Sequence, residues 1–161
     1  MQAERLPPAA VATEAARRPG RRERRRAETR ERIFRAALRL FAARGVLATT
    51  VEQITEAADV GKGTFFNYFP SKEHVLAAFG QMQLGKLRAV LAEAAGGGQP
   101  LVLVMHRALH VLAEEPGRRP ALVRSLLTGF LTNTAVRRMM RQNMERAQRL
   151  VAEAIAAAQQ R

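Results

Sequence analysis

The chain has 161 residues, is 47% hydrophobic but only 5% aromatic, and carries a formal net charge of +13. That length fits one domain, or a small domain with a helical partner, whose core is mostly Leu, Val and Ala, and the charge points to a polyanion such as nucleic acid or an anionic membrane. With no cysteine, disulfides, zinc ribbons and thiol nucleophiles are excluded, and the longest unbroken apolar run, "LVLVM" at 101–105, is too short to span a membrane.

Residues 1–20 hold Pro7, Pro8 and Pro19 with no sustained periodicity, which predicts a disordered basic tail over 1–24. The tail lacks the apolar stretch of a secretory signal, and Glu4, Glu14 and Glu23 speak against an organellar transit peptide. The expected location is therefore the cytoplasm. The block "RRPGRRERRR" (17–26) reads either as an arm that follows phosphates or the minor groove, or as a solvated tail with general electrostatic affinity.

From "ETRERIFRAALRLFAARG" onward the pattern is helical. Ile33, Phe34, Ala37, Leu38, Phe41 and Ala42 recur at helical spacing, and Gly45 sits where a left-handed cap would end the helix. In "TTVEQITEAADV" two capping boxes compete, Thr49 with Glu52 and Thr50 with Gln53. A third short helix carries Phe65, Phe66 and Tyr68 and stops before Pro70, because a residue preceding proline resists the helical region. Ser71 can cap a long fourth helix. "GGGQP" (96–100) ends it, and Pro100 suits the first turn of a fifth helix running through Glu115. "PGRRP" (116–120) breaks the chain again. A sixth helix runs from about Pro120 to Leu131, and a seventh from about Thr134 to the end. No strand pattern and no repeat occur, so the expected class is all-α.

Two short helices joined by a tight turn form a helix-turn-helix. Phe65 and Phe69, four apart, share one face and anchor the second helix to the core. Lys62, Gly63, Thr64, Phe66 and Asn67 fall on the remaining arc, where a helix start offers base contacts. Gly63 lets the backbone approach a duplex closely. Thr64 can pack its methyl on thymine, and Lys62 can reach guanine acceptors or phosphate. Tyr68 and Lys72 at the far end suit backbone phosphate. Thr49 or Thr50, beside free N–H groups at the start of the preceding helix, suits phosphate on the other side. A plain hydrophobic mini-core with a solvated lysine at each end would use the same residues.

The run "TTVEQITEAADVGKGTFFNYFPSKEHVL" (49–76) resembles the DNA-binding segment of the TetR family of transcriptional regulators, whose pattern is roughly T-T-x-x-x-I-A-x-x-A-G-V-S-x-G-T-x-Y-x-[YH]-F-x-[ST]-K-E-x-L. The likeness extends upstream over the helix ending in "FAARG" and covers about 50 residues without a gap. It implies a three-helix DNA-binding head over 25–71 and a helical body over 72–161 that binds a small molecule and dimerises. Family members are mostly repressors released from DNA by a ligand. Three positions depart from the pattern. Asp59 replaces a turn glycine, though aspartate tolerates left-handed geometry. Gly61 replaces a serine cap at a cost of a few tenths of a kcal/mol. Phe66 replaces a tyrosine and leaves only apolar contact with DNA.

In the body, Met82, Met105, Phe130 and Met140 are candidates for a soft ligand pocket, as are Met139 and Met144. His106, His110 and Glu114, spaced four apart, can give it polar contacts. The drift of a straight helix carries Glu114 away from His106, so no metal or other cofactor is expected. Relatives usually continue past a seventh helix with two more that form the dimer interface. The body is thus expected to be shortened: the gene is truncated, its coding sequence is cut short, or a reduced body dimerises through helices six and seven. The stripe Val136, Met140, Ala147, Val151, Ala154 and Ala158 would then be exposed without a partner.

The expected function is a sequence-specific regulator, not an enzyme. It would be a repressor that binds a near-palindromic operator in double-stranded DNA as a homodimer and answers to a small-molecule effector, with no membrane partner. The alternative is a basic helical protein that binds nucleic acid non-specifically. The residues do not name the operator, effector, regulated genes or sign of regulation.

Overall fold

The computed structural model describes residues 20–159, and among these the regular structure is entirely helical. The helices are α1 (Arg21–Arg44), α2 (Val51–Ala57), α3 (Lys62–Tyr68), α4 (Lys72–Gly97), α5 (Leu101–Arg118), α6 (Pro120–Thr132) and α7 (Thr134–Gln159). The tail 1–19 lies outside the described residues. Residues 21–24, expected as tail, are instead the first turn of α1. The backbone N–H of Gly20 donates to Glu23 Oε2 at 2.9 Å, and arginine has high helix propensity, so the charge block continues the helix rather than fraying from it.

Each boundary has a local cause. Gly45 ends α1, but not as a left-handed cap: its φ of 85° and ψ of 158° lie in a region open essentially to glycine alone. Between the two capping boxes, Thr50 caps α2, accepting from Gln53 N while Gln53 Oε1 accepts from Thr50 N. Asp59 turns the chain into α3 at φ 51°, the left-handed conformation expected of it. Ser71 stands at the start of α4 but caps it without a side-chain bond to the backbone; its hydroxyl donates to Glu73 Oε2 at 2.7 Å. Asn133 Oδ1 accepts from Ala135 N and Val136 N and so starts α7.

α5 continues past its expected end at Glu115, through Pro116 to Arg118. Proline has no N–H to give the carbonyl four residues back, that of Leu112. Gln83 Nε2 of α4 donates to that carbonyl at 3.1 Å, which removes much of the cost of a proline there.

Ile33, Phe34, Leu38 and Phe41 of α1 form the main core with Ile54 of α2, Phe65 and Phe69 around α3, and Val75 and Leu76 of α4. Leu122 of α6 and Val136 of α7 belong to the same cluster. A smaller cluster joins Leu87 and Val90 of α4 to Ala108 of α5, with Ala147, Leu150 and Val151 of α7 packed against it. α4 and α7 run side by side. Gly80 allows this contact, since a Cβ there would collide with the Asn143 side chain. The apolar stripe of α7 is therefore largely covered by the chain's own helices: Val136 is buried, and Met140, Ala147 and Val151 are partly so.

Candidate nucleic-acid interface and effector cavity

α3 is held by two rings. Phe65 and Phe69 are 0% and 2% exposed, with ring centroids 6.0 Å apart. Burying each contributes roughly 1.5–3 kcal/mol, enough to fix a seven-residue helix that could not persist alone. Arg30 of α1 lies over the Phe69 ring, 5.1 Å from its centroid, and so clamps α3 from outside. The arc left facing outward carries Lys62, Gly63, Phe66 and Asn67, all exposed, with Thr64 and Tyr68 partly so. Phe66 is 47% exposed and meets Phe65 edge-on, centroids 5.4 Å apart. A large ring held in water by a neighbouring ring is placed for contact with a partner.

Three of the expected DNA contacts are already committed within the chain. Thr49 is fully buried, and its hydroxyl donates to the Gly45 carbonyl at 2.7 Å. Its side chain therefore faces the core and cannot meet phosphate, so Thr49 leaves the list and Thr50, which is exposed, keeps its place. Lys62 forms an ion pair with Glu52 across the turn. That hydrogen bond, reinforced by a backbone N–H and by the lysine charge, holds the Glu52 carboxyl below the usual carboxylate range. Lys72 Nζ donates to Thr49 O at 2.7 Å and Leu47 O at 3.2 Å. It closes the α1–α2 loop onto the start of α4, and an ammonium has one N–H left for a phosphate. Arg21, Arg22, Arg24, Arg25 and Arg26 are exposed on the first turns of α1, and the buried face begins only at Ile33. The basic block is thus a helical projection of about 18 Å.

The α1–α2 loop is also tied to the body. Buried Val46 donates its N–H to Ser125 Oγ of α6 at 3.2 Å. Sequence reading missed this bond, because a serine inside an apolar helix carries no sign of its partner.

The body holds an open cavity of about 410 Å³ between α4 and α7, bordered by Leu112 of α5 and Leu126 of α6. Of the methionines and Phe130 expected at a ligand pocket, Met139, Met140 and Met144 line it. Met82 packs against the main core instead, Met105 and Phe130 lie on other faces, and His106 and His110 are exposed. The wall is otherwise mainly Leu76, Phe79, Leu84 and Leu87, and its polar side chains are Gln83 and Asn143. Two amides on the apolar faces of α4 and α7 were the available signal. Among the described residues no group of three or more His, Asp or Glu is placed to hold a metal ion, and no helix is long and apolar enough to cross a membrane.

Comparison with known proteins agrees with this geometry. Residues 33–79, from α1 into α4, match the bacterial regulatory proteins of the tetR family. The regulator TcmR of Streptomyces glaucescens is 53% identical over 57 residues, which are 35% of this chain and 25% of TcmR. The repressor KstR of Mycolicibacterium smegmatis is 31% identical over 111 residues, covering 65% of this chain and 51% of KstR. The chain thus spans a quarter to a half of these relatives. Among solved structures, Thermus thermophilus FadR, a repressor in complex with lauroyl-CoA, is 37% identical with a TM-score of 0.60, over 81% of this chain and 68% of that one. Salmonella enterica GusR is 27% identical with a TM-score of 0.70, again over 81% and 68%. A ring-anchored helix-turn-helix at the head, the helical body and the likeness across both lead to one assignment: the chain belongs to the TetR family of transcriptional regulators.

Proposed function

We propose that the chain is a sequence-specific DNA-binding regulator, a repressor that leaves its operator when a small molecule enters the body. The observation that carries this is the outward arc of α3, where Lys62, Gly63, Phe66 and Asn67 stand exposed over the buried Phe65 and Phe69. In this reading α3 enters the major groove, Lys62, Gly63, Thr64, Phe66 and Asn67 meet base edges, and Thr50, Tyr68 and Lys72 meet phosphates. The head comprises α1 to α3, from Arg21 to residue 71, and the body begins at Lys72. A two-fold dimer on a near-palindromic operator supplies two copies of α3 one helical turn apart. The cavity between α4 and α7 receives the effector, a role supported by the complex of FadR with lauroyl-CoA.

The test is selection of bound fragments from genomic DNA, followed by anisotropy titration against the selected site and random DNA. The expected preference for the site is about a thousandfold or more at physiological salt. Equal affinity for both would favour the second reading, non-specific binding through the exposed arginines at the start of α1.

A further inference from the structure

Gln83 Oε1 is a buried side-chain oxygen with no hydrogen-bond partner. The amide cannot simply be turned over, because its Nε2 donates to the Leu112 carbonyl and a carbonyl accepts only from the NH₂ end. That carbonyl is free because Pro116, four residues on, has no N–H to offer it. The missing N–H of a proline inside α5 thus fixes which end of the Gln83 amide stays unpaired. Gln83 lines the 410 Å³ cavity, and no residue of that wall is charged. Asn143, the other polar group, is packed against Gly80.

We infer that the effector is an uncharged, largely apolar molecule carrying a hydroxyl or N–H that donates to Gln83 Oε1. This rests on the cavity being the effector site. An anionic group inside would lose its water with no cation in the wall to replace it, so any charged head must lie outside. The oxygen is covered in the structure. In this reading the unbranched methionines of the wall, Met139, Met140 and Met144, would have to shift to let a ligand reach it.

The probes are decan-1-ol, its methyl ether and decanoate, titrated calorimetrically into the full chain. The alcohol is expected to bind about tenfold tighter than the ether, which accepts but cannot donate. It should also bind more tightly than decanoate at pH 8. Gln83→Leu should bring the alcohol down to the level of the ether while leaving the ether within about twofold. Equal binding of alcohol and ether by the unaltered protein, or tightest binding of decanoate, overturns the inference, and these comparisons need no variant to fold. Parallel DNA titrations keep the two readings apart. An alcohol that binds as expected without releasing DNA supports this ligand class and refutes effector-driven release. Specific DNA binding with no discrimination among the probes refutes the ligand class and leaves the DNA-binding reading standing.

Discussion

Replacing Ser125 by alanine removes one hydroxyl and leaves the Val46 N–H without its partner. Val46 is 2% exposed and Ser125 8%, and their bond is 3.2 Å long. Orphaning a buried donor costs about 1–3 kcal/mol. A cavity of about 480 Å³ is lined by both residues, so water can reach the freed N–H and the cost falls in the lower part, about 1–2 kcal/mol. For a chain of this size each kcal/mol lowers the unfolding temperature by about 2–4 °C, giving a fall of about 2–8 °C. Scanning calorimetry measures the fall, and amide exchange at Val46 should quicken. Thr128→Ala on the same helix is the control, since that exposed hydroxyl donates only to the Arg124 carbonyl one turn back. If Ser125→Ala matches the wild type within about 1 °C and Val46 exchanges no faster, the bond does not tie α6 to the α1–α2 loop.

Gly45→Ala places a Cβ at φ 85° and should cost about 1–3 kcal/mol in strain, read as a lower unfolding temperature even though that Cβ would make only an ordinary contact with Ser125 Oγ at 4.0 Å. Glu52→Gln frees Lys62 and should tighten operator binding roughly twofold to fivefold at low salt. Because the Glu52 carboxyl titrates below its usual range, the pair holds at neutral pH and is lost as pH falls through that lowered value, so wild type and variant should converge in acid. Phe66→Ala should leave the unfolding temperature within a degree or two yet weaken operator binding by about 1 kcal/mol in anisotropy titrations, since the ring is half-exposed. Lys72→Met should do both, weakening every DNA sequence alike with a flatter salt slope and lowering stability by about 1 kcal/mol through the freed carbonyls of Leu47 and Thr49.

What could be read in the sequence was what depends on spacing along one helix. Phe65 and Phe69 declared a shared buried face, and Asp59 declared a left-handed turn. What could not be read was the choice between equivalent partners. Thr49 and Thr50 both began a capping box, and the Gly45 carbonyl decided between them by taking the Thr49 hydroxyl. Lys62 and Lys72 looked like free cations because their partners, Glu52 and the loop carbonyls, are set by tertiary packing. Met139, Met140 and Met144 were found at the cavity, but Met82, Met105 and Phe130 were not, for a related reason. Methionines were chosen by type, whereas the wall is chosen by helix rotation: Met82 and Gln83 are adjacent, yet one faces the main core and the other the cavity. Pro116 was read as a break because its rescue by Gln83 comes from another helix.

The same packing bears on how an effector could reach the head. Leu76 sits in the buried cluster that seats α3, Leu126, Met139 and Met140 pack against that cluster, and all four also line the cavity. Ser125, beside Leu126, holds the α1–α2 loop, and Lys72 at the start of α4 holds it from the other side. A ligand changes operator affinity only by the difference in how well it fits the two arrangements. A tenfold release needs about 1.4 kcal/mol of such difference, comparable to a single one of these bonds. An effector that shifts α6 or α4 enough to break the Ser125 or Lys72 contact would therefore suffice. It follows that Ser125→Ala, by removing that contact in advance, should narrow the gap in operator affinity between effector-free and effector-bound protein.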